Sequence, residues 1–249
     1  MRPALHAEWT KLRTVPGPRW LLLGTVAATV ALSAGVASVV TCGSAGCGDP
    51  TRLSLTGIQL GQALVVVLGV LVVAGEYGTG MIRTTLAAVP CPAAVLAAKA
   101  VTLTGVVAAG GTAAVLGSLV AGRLLLPGHP ALSPADGPTL RAALGSVLYL
   151  ALIALLSLGV GTVVRDSAAG TGIVLGLLYL VPALSQATGT PHWQRLLQRI
   201  APMSAGLAVQ ATTDLGSLPI GPWAGLGVTA GWAAAALLAG GLLLRMRDT

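Results

Sequence analysis

Six apolar runs govern what this chain can become: Trp20 to Val40, Leu55 to Ala74, Val95 to Ala121, Ala142 to Val164, Ala168 to Leu184 and Trp223 to Leu244. A helix rises ~1.5 Å per residue, so roughly 20 residues cross the ~30 Å hydrocarbon core of a bilayer. Each run is long enough to span, the fifth only just. The expected fold class is an all-α polytopic membrane protein with six transmembrane helices, in a single transmembrane domain over residues 1–249. Composition agrees: 55% of residues are hydrophobic and 8% charged, against roughly one quarter charged in a soluble domain. A water-soluble monomer is excluded. A signal peptide is a poor reading of the first run, because 19 residues precede it and the apolar stretch is too long.

The formal charge of +7, from 14 Lys+Arg and 7 Asp+Glu, is too thinly spread to neutralise many phosphates, so no nucleic-acid partner is expected. The missing Phe reflects a GC-rich genome and carries no functional meaning. Orientation follows from where the basic residues fall. With the N-terminus inside, Arg2, Lys11, Arg13, Arg19, Arg83, Lys99, Arg165, Arg245 and Arg247 are cytoplasmic, and Arg52, Arg123, Arg141, Arg195 and Arg199 are external. Both termini are expected inside, in the cytoplasmic membrane of a bacterium. Cys42 and Cys47 then face the oxidising side, either as a short disulfide or as two unpaired residues of a glycine-rich loop, and Cys91 faces the reducing side. No third or fourth ligand accompanies them, so no metal is expected.

The connections are readable too. Over residues 1–19, Leu5, Trp9 and Leu12 recur at i, i+4, i+7, with His6, Glu8, Lys11 and Arg13 on other faces until Pro16-Gly-Pro18 ends the helix. This predicts an elbow helix lying on the inner membrane surface. Residues 185–222 form the longest external connection. In it HWQRLLQRI predicts a surface helix with Trp193, Leu196, Leu197 and Ile200 on one face, Thr190 as cap and Pro191 in the first turn, followed by APMSAGLAVQA as a second surface helix or a partly re-entrant one. Arg165-Asp166-Ser167 alone joins the fourth and fifth runs, which must form a hairpin.

Within the runs, Gly105, Ala109, Ala113, Gly117 and Ala121 read as a packing stripe inside the subunit, and Gly172 and Gly176 as a GxxxG subunit contact or internal packing. Gln59 and Gln62 share a face that looks into the protein, lining a substrate path or bonding between helices. All carboxylates lie outside the apolar runs, which disfavours a proton-coupled carrier with an intramembrane relay. There is no HExxH, no GxSxG and no GxxxxGK[ST], so catalytic, cofactor-binding and metal residues are absent from the reading and the chain is not expected to be an enzyme.

The remaining signal is EYGTGMIRTTLAAVPCPAAVLAAK, between the second and third runs. Ile82, Leu86 and Val89 repeat at i, i+4, i+7, Thr79 or Gly80 opens a short helix, and Pro90 and Pro92 close it. A glutamate, an arginine and three threonines in so short a segment suit a docked protein surface. Together with ALHAEWTKLRT and a downstream AAK, the stretch GEYGTGMIRTTLAAVP resembles the permease subunits of type 2 ATP-binding-cassette (ABC) exporters; RIAPMSAGLAVQA is a weaker match. In that family the equivalent of residues 75–94 is a coupling helix inserted into a separate ATPase subunit.

The resemblance implies that Glu76, Tyr77, Thr79, Arg83, Thr85, Leu86 and Pro90 form the coupling site, with Cys91 departing from a position where relatives often carry a basic residue. It implies an ABC ATPase subunit holding ATP and Mg, a second permease copy in a homodimer or heterodimer, surrounding membrane lipid, and outward movement of a hydrophobic or amphipathic substrate (drug, antibiotic, lipid or peptide) by alternating access. The rivals are an ion-gradient-driven carrier and a structural or sensory membrane subunit.

Overall fold

The structure is a computed structural model that describes residues 7–8, 10–11, 14, 16–40, 48–78, 80–81, 92–126, 136–187 and 191–247. It is an all-α polytopic membrane protein. Six helices are long and apolar enough to span: Gly17–Val39, Ile58–Gly78, Ala93–Leu125, Gly137–Val164, Ser167–Ala187 and Pro222–Met246. Among the described residues no strand occurs. The end of the bundle where the first span starts and the sixth ends is called proximal below, and the opposite end distal.

The fourth span is the axis. It packs against the second, third, fifth and sixth spans, and the first span packs against the second and third. Its centre carries Tyr149, fully buried, whose hydroxyl donates to Gln62 Oε1 of the second span. Hydrophobic burial supplies little drive between helices already in hydrocarbon, so contacts depend on backbones approaching closely. Glycines set those approaches. A Cβ on Gly69 would stand 2.8 Å from the Ala154 carbonyl and the Ser157 side chain, and one on Gly159 2.5 Å from Ala236. Gly57 and Gly61 admit the Thr29 backbone and hydroxyl of the first span, and Gly57 N–H donates to Ser33 Oγ at 3.1 Å.

The third span corrects one expectation. Gly105, Ala109 and Ala113 are exposed, and a Cβ on Gly105 meets nothing. The residues that admit neighbours are Gly110, against Leu22, Gly111, against Leu150, and Gly117, against Val30. A strict spacing of four advances by about 40° per step on a helix of 3.6 residues per turn. The five small residues therefore wind around the helix instead of lining one face.

Two boundaries also differ. Residues 7, 8, 10, 11 and 14 are helical, and Pro16 begins the first span's helix, since a proline in a first helical turn lacks only an N–H that would be unpaired anyway. A separate short helix, Pro50–Ser54, precedes the second span, with the Asp49 side chain accepting from Arg52 N–H at 3.1 Å. The fifth span changes pitch midway, passing through a π-helical turn at Gly176–Leu180 before continuing as Val181–Ala187. Pro182 brings no N–H for the carbonyl one turn back, and the wider turn absorbs that break.

At the distal end Pro191–Ile200 is a helix whose Trp193 and Ile200 stay exposed, as a surface helix requires. The next segment is the re-entrant alternative, buried within the bundle. Residues Pro202–Leu207 form a helix, Ala208–Gln210 a tight 3₁₀ turn, and both pack between the fourth and sixth spans. Gly206 lies against the Tyr149 ring, Gly225 against the Ala205 carbonyl, and Gly145 against Val209. Irregular backbone at this depth is tolerable because protein surrounds it.

Overpacking a closed helix contact costs about 1–3 kcal/mol, and filling open space costs nothing of that kind. Gly61→Leu should lower the melting temperature in detergent by several degrees, and Gly105→Leu should leave it unchanged; equal effects would disprove this packing.

Candidate functional site

The proximal end holds an ion-pair square. Lys99 lies two turns into the third span, in a helix that opens with Pro92. Its Nζ donates to Glu76 Oε1 at 2.6 Å, Glu8 Oε2 at 3.0 Å and the Val72 carbonyl at 3.3 Å. Lys11 Nζ donates to the same Glu76 Oε1 at 2.8 Å and to Glu8 Oε1 at 3.2 Å. Each ammonium thus bridges both carboxylates. Side-chain exposure falls from 31% at Lys11 to 10% at Glu76, 6% at Glu8 and 2% at Lys99. Partial burial by itself lowers the Lys11 pKa, but the hydrogen bond and attraction of Glu76, with the attraction of Glu8, outweigh it and leave the pKa raised.

The square joins three elements: the N-terminal segment, the end of the second span and the start of the third. Charges withdrawn from water are tolerated only when matched this closely. Glu8, which the sequence pattern puts off the apolar face of the elbow helix, is turned inward at 5% exposure.

Tyr77 makes a second attachment one residue further on. The Arg165 guanidinium carbon lies 4.8 Å from the centre of its ring, within cation–π range. Arg165 caps the fourth span in a left-handed conformation, φ 62°, and Asp166 then caps the fifth by accepting from Ala169 N–H at 2.7 Å. The start of the connecting segment is consequently held both by the square and by the hairpin of the fourth and fifth spans. Gly78 ends the second span, and Gly80 turns the chain with φ 70°, a conformation that a side chain would strain.

Of the residues expected at the coupling site, Glu76 and Tyr77 are placed here; Thr79, Arg83, Thr85, Leu86 and Pro90 lie outside the described residues, as do Cys42, Cys47 and Cys91. Sequence reading missed the partnership of Glu8, Lys11 and Lys99 with Glu76. A signal existed, since both lysines of the chain and four of its seven acids, Glu8 and Glu76 among them, fall near the same predicted membrane face.

Gln59 and Gln62 part company. Gln62 is fully buried and committed to Tyr149, whereas Gln59 lines a distal cavity of about 600 Å³ with Arg52, Gln186, Gln198 and Gln210. Gly172 has open space where a Cβ would be, and Gly176 meets only Leu180 of its own span. The fifth span instead touches the second through Gly170 and Val70. Among the described residues no cluster of His, Cys, Asp or Glu is arranged to hold a metal ion.

Asp49 closes the distal end. Its carboxylate accepts from Thr212 Oγ1 at 2.7 Å and Thr213 N–H at 3.2 Å, and also from Thr212 N–H. Arg141 Nη2 donates to the Ala211 carbonyl at 2.6 Å beside it. No protein-family model matches this sequence, and no curated protein matches it as a relative.

Removing one partner from a buried ion pair costs about 3–5 kcal/mol because the other charge is left uncompensated. Lys99→Met should destabilise the protein by that order, and adding Glu76→Gln should restore part of the loss in thermal unfolding. A double variant as unstable as the sum of its singles would mean that the square contributes nothing as a unit.

Asp49 predicts a pH dependence. Burial alone would raise its pKa, but the Thr212, Arg52 and Thr213 donors hold it below the ordinary 3.8. A depressed folded pKa stabilises fully above the unfolded value and fades as pH falls through the folded one. The melting-temperature gap between wild type and Asp49→Ala should be present at neutral pH and vanish well below pH 3.8; a gap unchanged in acid would refute the latch.

Proposed function

We propose that the chain is the permease subunit of an ATP-driven exporter of the type 2 ABC class, in the cytoplasmic membrane of a bacterium with both termini inside. The observation that carries this reading is the double anchorage of Glu76 and Tyr77. They open the stretch that resembles a coupling helix, and they are tied to the N-terminal segment and third span by the ion-pair square and to the fourth and fifth spans by Arg165.

A push on residues 79–91 would reach four of the six spans through two short contacts. In this reading a separate ATPase subunit, binding ATP and Mg, docks on that segment. Closure of an ATPase pair then rocks two permease copies, identical or different, between inward-open and outward-open forms. Helices move as stiff bodies, so displacement at one end becomes reorientation at the other. The cargo is a hydrophobic or amphipathic molecule.

The sequence pattern puts Leu86 on the apolar face of the segment. Leu86→Asp would oblige a docked groove to bury an unpaired carboxylate, at a cost of several kcal/mol. Each ~1.4 kcal/mol is tenfold in affinity. Co-expressed with the ATPase of a neighbouring reading frame, Leu86→Asp should lose co-purification of that subunit and export while all six spans still insert. Full ATPase binding by the variant, or export driven by an ion gradient without any ATPase, would overturn the proposal.

A further inference from the structure

Beside the ion-pair square lies a cavity of about 330 Å³ between the start of the first span and the second span. Leu21, Leu68, Leu71 and Val72 form its wall, and Glu8, Lys11 and Glu76 its polar end. Leu71 and Met81, both lining residues, are 40% and 45% exposed, so the cavity opens outward from the bundle. Lys99 is not among its lining residues. Of the described residues, the cavity therefore meets two carboxylates and one ammonium.

These three groups are unequal in access. The carboxylates are nearly buried, whereas Lys11 is the accessible member, carried on the N-terminal segment at the rim. A ligand with a positive charge of its own can exchange for Lys11 and keep the charge balance as before, with Lys99 still hydrogen-bonded to both carboxylates. That exchange strands no buried charge. A ligand anion would instead add a third negative group beside two buried carboxylates, and a neutral chain would cover the leucines without using the polar end.

We propose that this cavity binds a lipophilic cation, an apolar body of drug size bearing a positively charged nitrogen or phosphorus, whose charge takes the place of the Lys11 ammonium between Glu8 and Glu76. The apolar body covers Leu68, Leu71 and Val72. Displacing Lys11 also unties the N-terminal segment from Glu76, so occupancy is felt where the connecting segment begins. This deepens the exporter reading by naming a substrate class, and it rests on that reading only for the statement that the bound cation is cargo.

The test uses the chain in lipid nanodiscs, without an ATPase, and equilibrium dialysis against tetraphenylphosphonium and tetraphenylborate, two ions of closely similar shape and opposite charge. The cation should bind saturably above the empty-disc background and the anion should not. Leu71→Trp, which fills the cavity from its wall, should weaken cation binding by about tenfold or more; Lys11→Gln, which removes the competing ammonium, should strengthen it several-fold. Equal saturable binding of both ions, unchanged affinity in a folded Leu71→Trp protein, or weaker binding by Lys11→Gln overturns the site. If Leu71→Trp fails to fold, the direction of the Lys11→Gln change decides. Cation binding without a co-purifying ATPase would leave the site standing and remove the exporter reading; ATPase docking without cation binding would do the reverse.

Discussion

An ammonium withdrawn from water must be met by carboxylates at hydrogen-bond distance, and Lys99, 2% exposed, imposes that demand on the whole proximal end. Glu76 answers it from the second span and Glu8 from the N-terminal segment, and the same Glu76 oxygen and the other Glu8 oxygen accept from Lys11. Neither carboxylate is available to a different packing without abandoning a buried cation. Through Glu8 and Lys11 the N-terminal segment is thereby tied to the second and third spans. Asp49 plays the corresponding part at the distal end, where one carboxylate gathers Thr212 and Thr213 and so fixes the long connection before the sixth span.

Between these polar ends the spans meet by a different principle. Lipid tails are as apolar as leucine, so shape and backbone proximity decide which faces join. Gly57, Gly61, Gly69 and Gly159 bring the first, second, fourth and sixth spans into contact, and Gly145 and Gly206 make room for the re-entrant segment against the fourth. The Tyr149–Gln62 hydrogen bond adds a directional tie at the centre. The fifth span stands apart from this network. It carries the π-helical turn, leaves Gly172 facing open space and is among the least buried spans. Its close contact with the second span is made near its start, by Gly170 against Val70.

The candidate site joins rigidity to access. Glu76 and Tyr77 are adjacent in sequence, so two unrelated contacts, one ionic and one cation–π, grip a single turn of helix. Beyond that turn the left-handed Gly80 redirects the chain. The cavity beside the square shares Glu76 with it, which places a ligand's charge and the start of the connecting segment on the same carboxylate.

Hydropathy alone determined six spans, their order and the hairpin of the fourth and fifth, because runs of this length and apolarity have one stable form in a bilayer. Pro191 and the amphipathic pattern after it likewise announced a surface helix, whereas the motif around Glu76 and Tyr77 gave no sign of the partners they hold. Which faces meet was not legible. The four-residue stripe of the third span reads as a contact in one dimension but winds around the helix in three, while the working glycines, Gly110 and Gly117, are seven apart. The burial of Glu8 was hidden for a related reason: it lies 91 residues from Lys99, and no local periodicity reports a pairing across that distance. Tertiary structure decided these points because in hydrocarbon every apolar face is equally content with lipid, and only close backbone approach and matched charge choose among them.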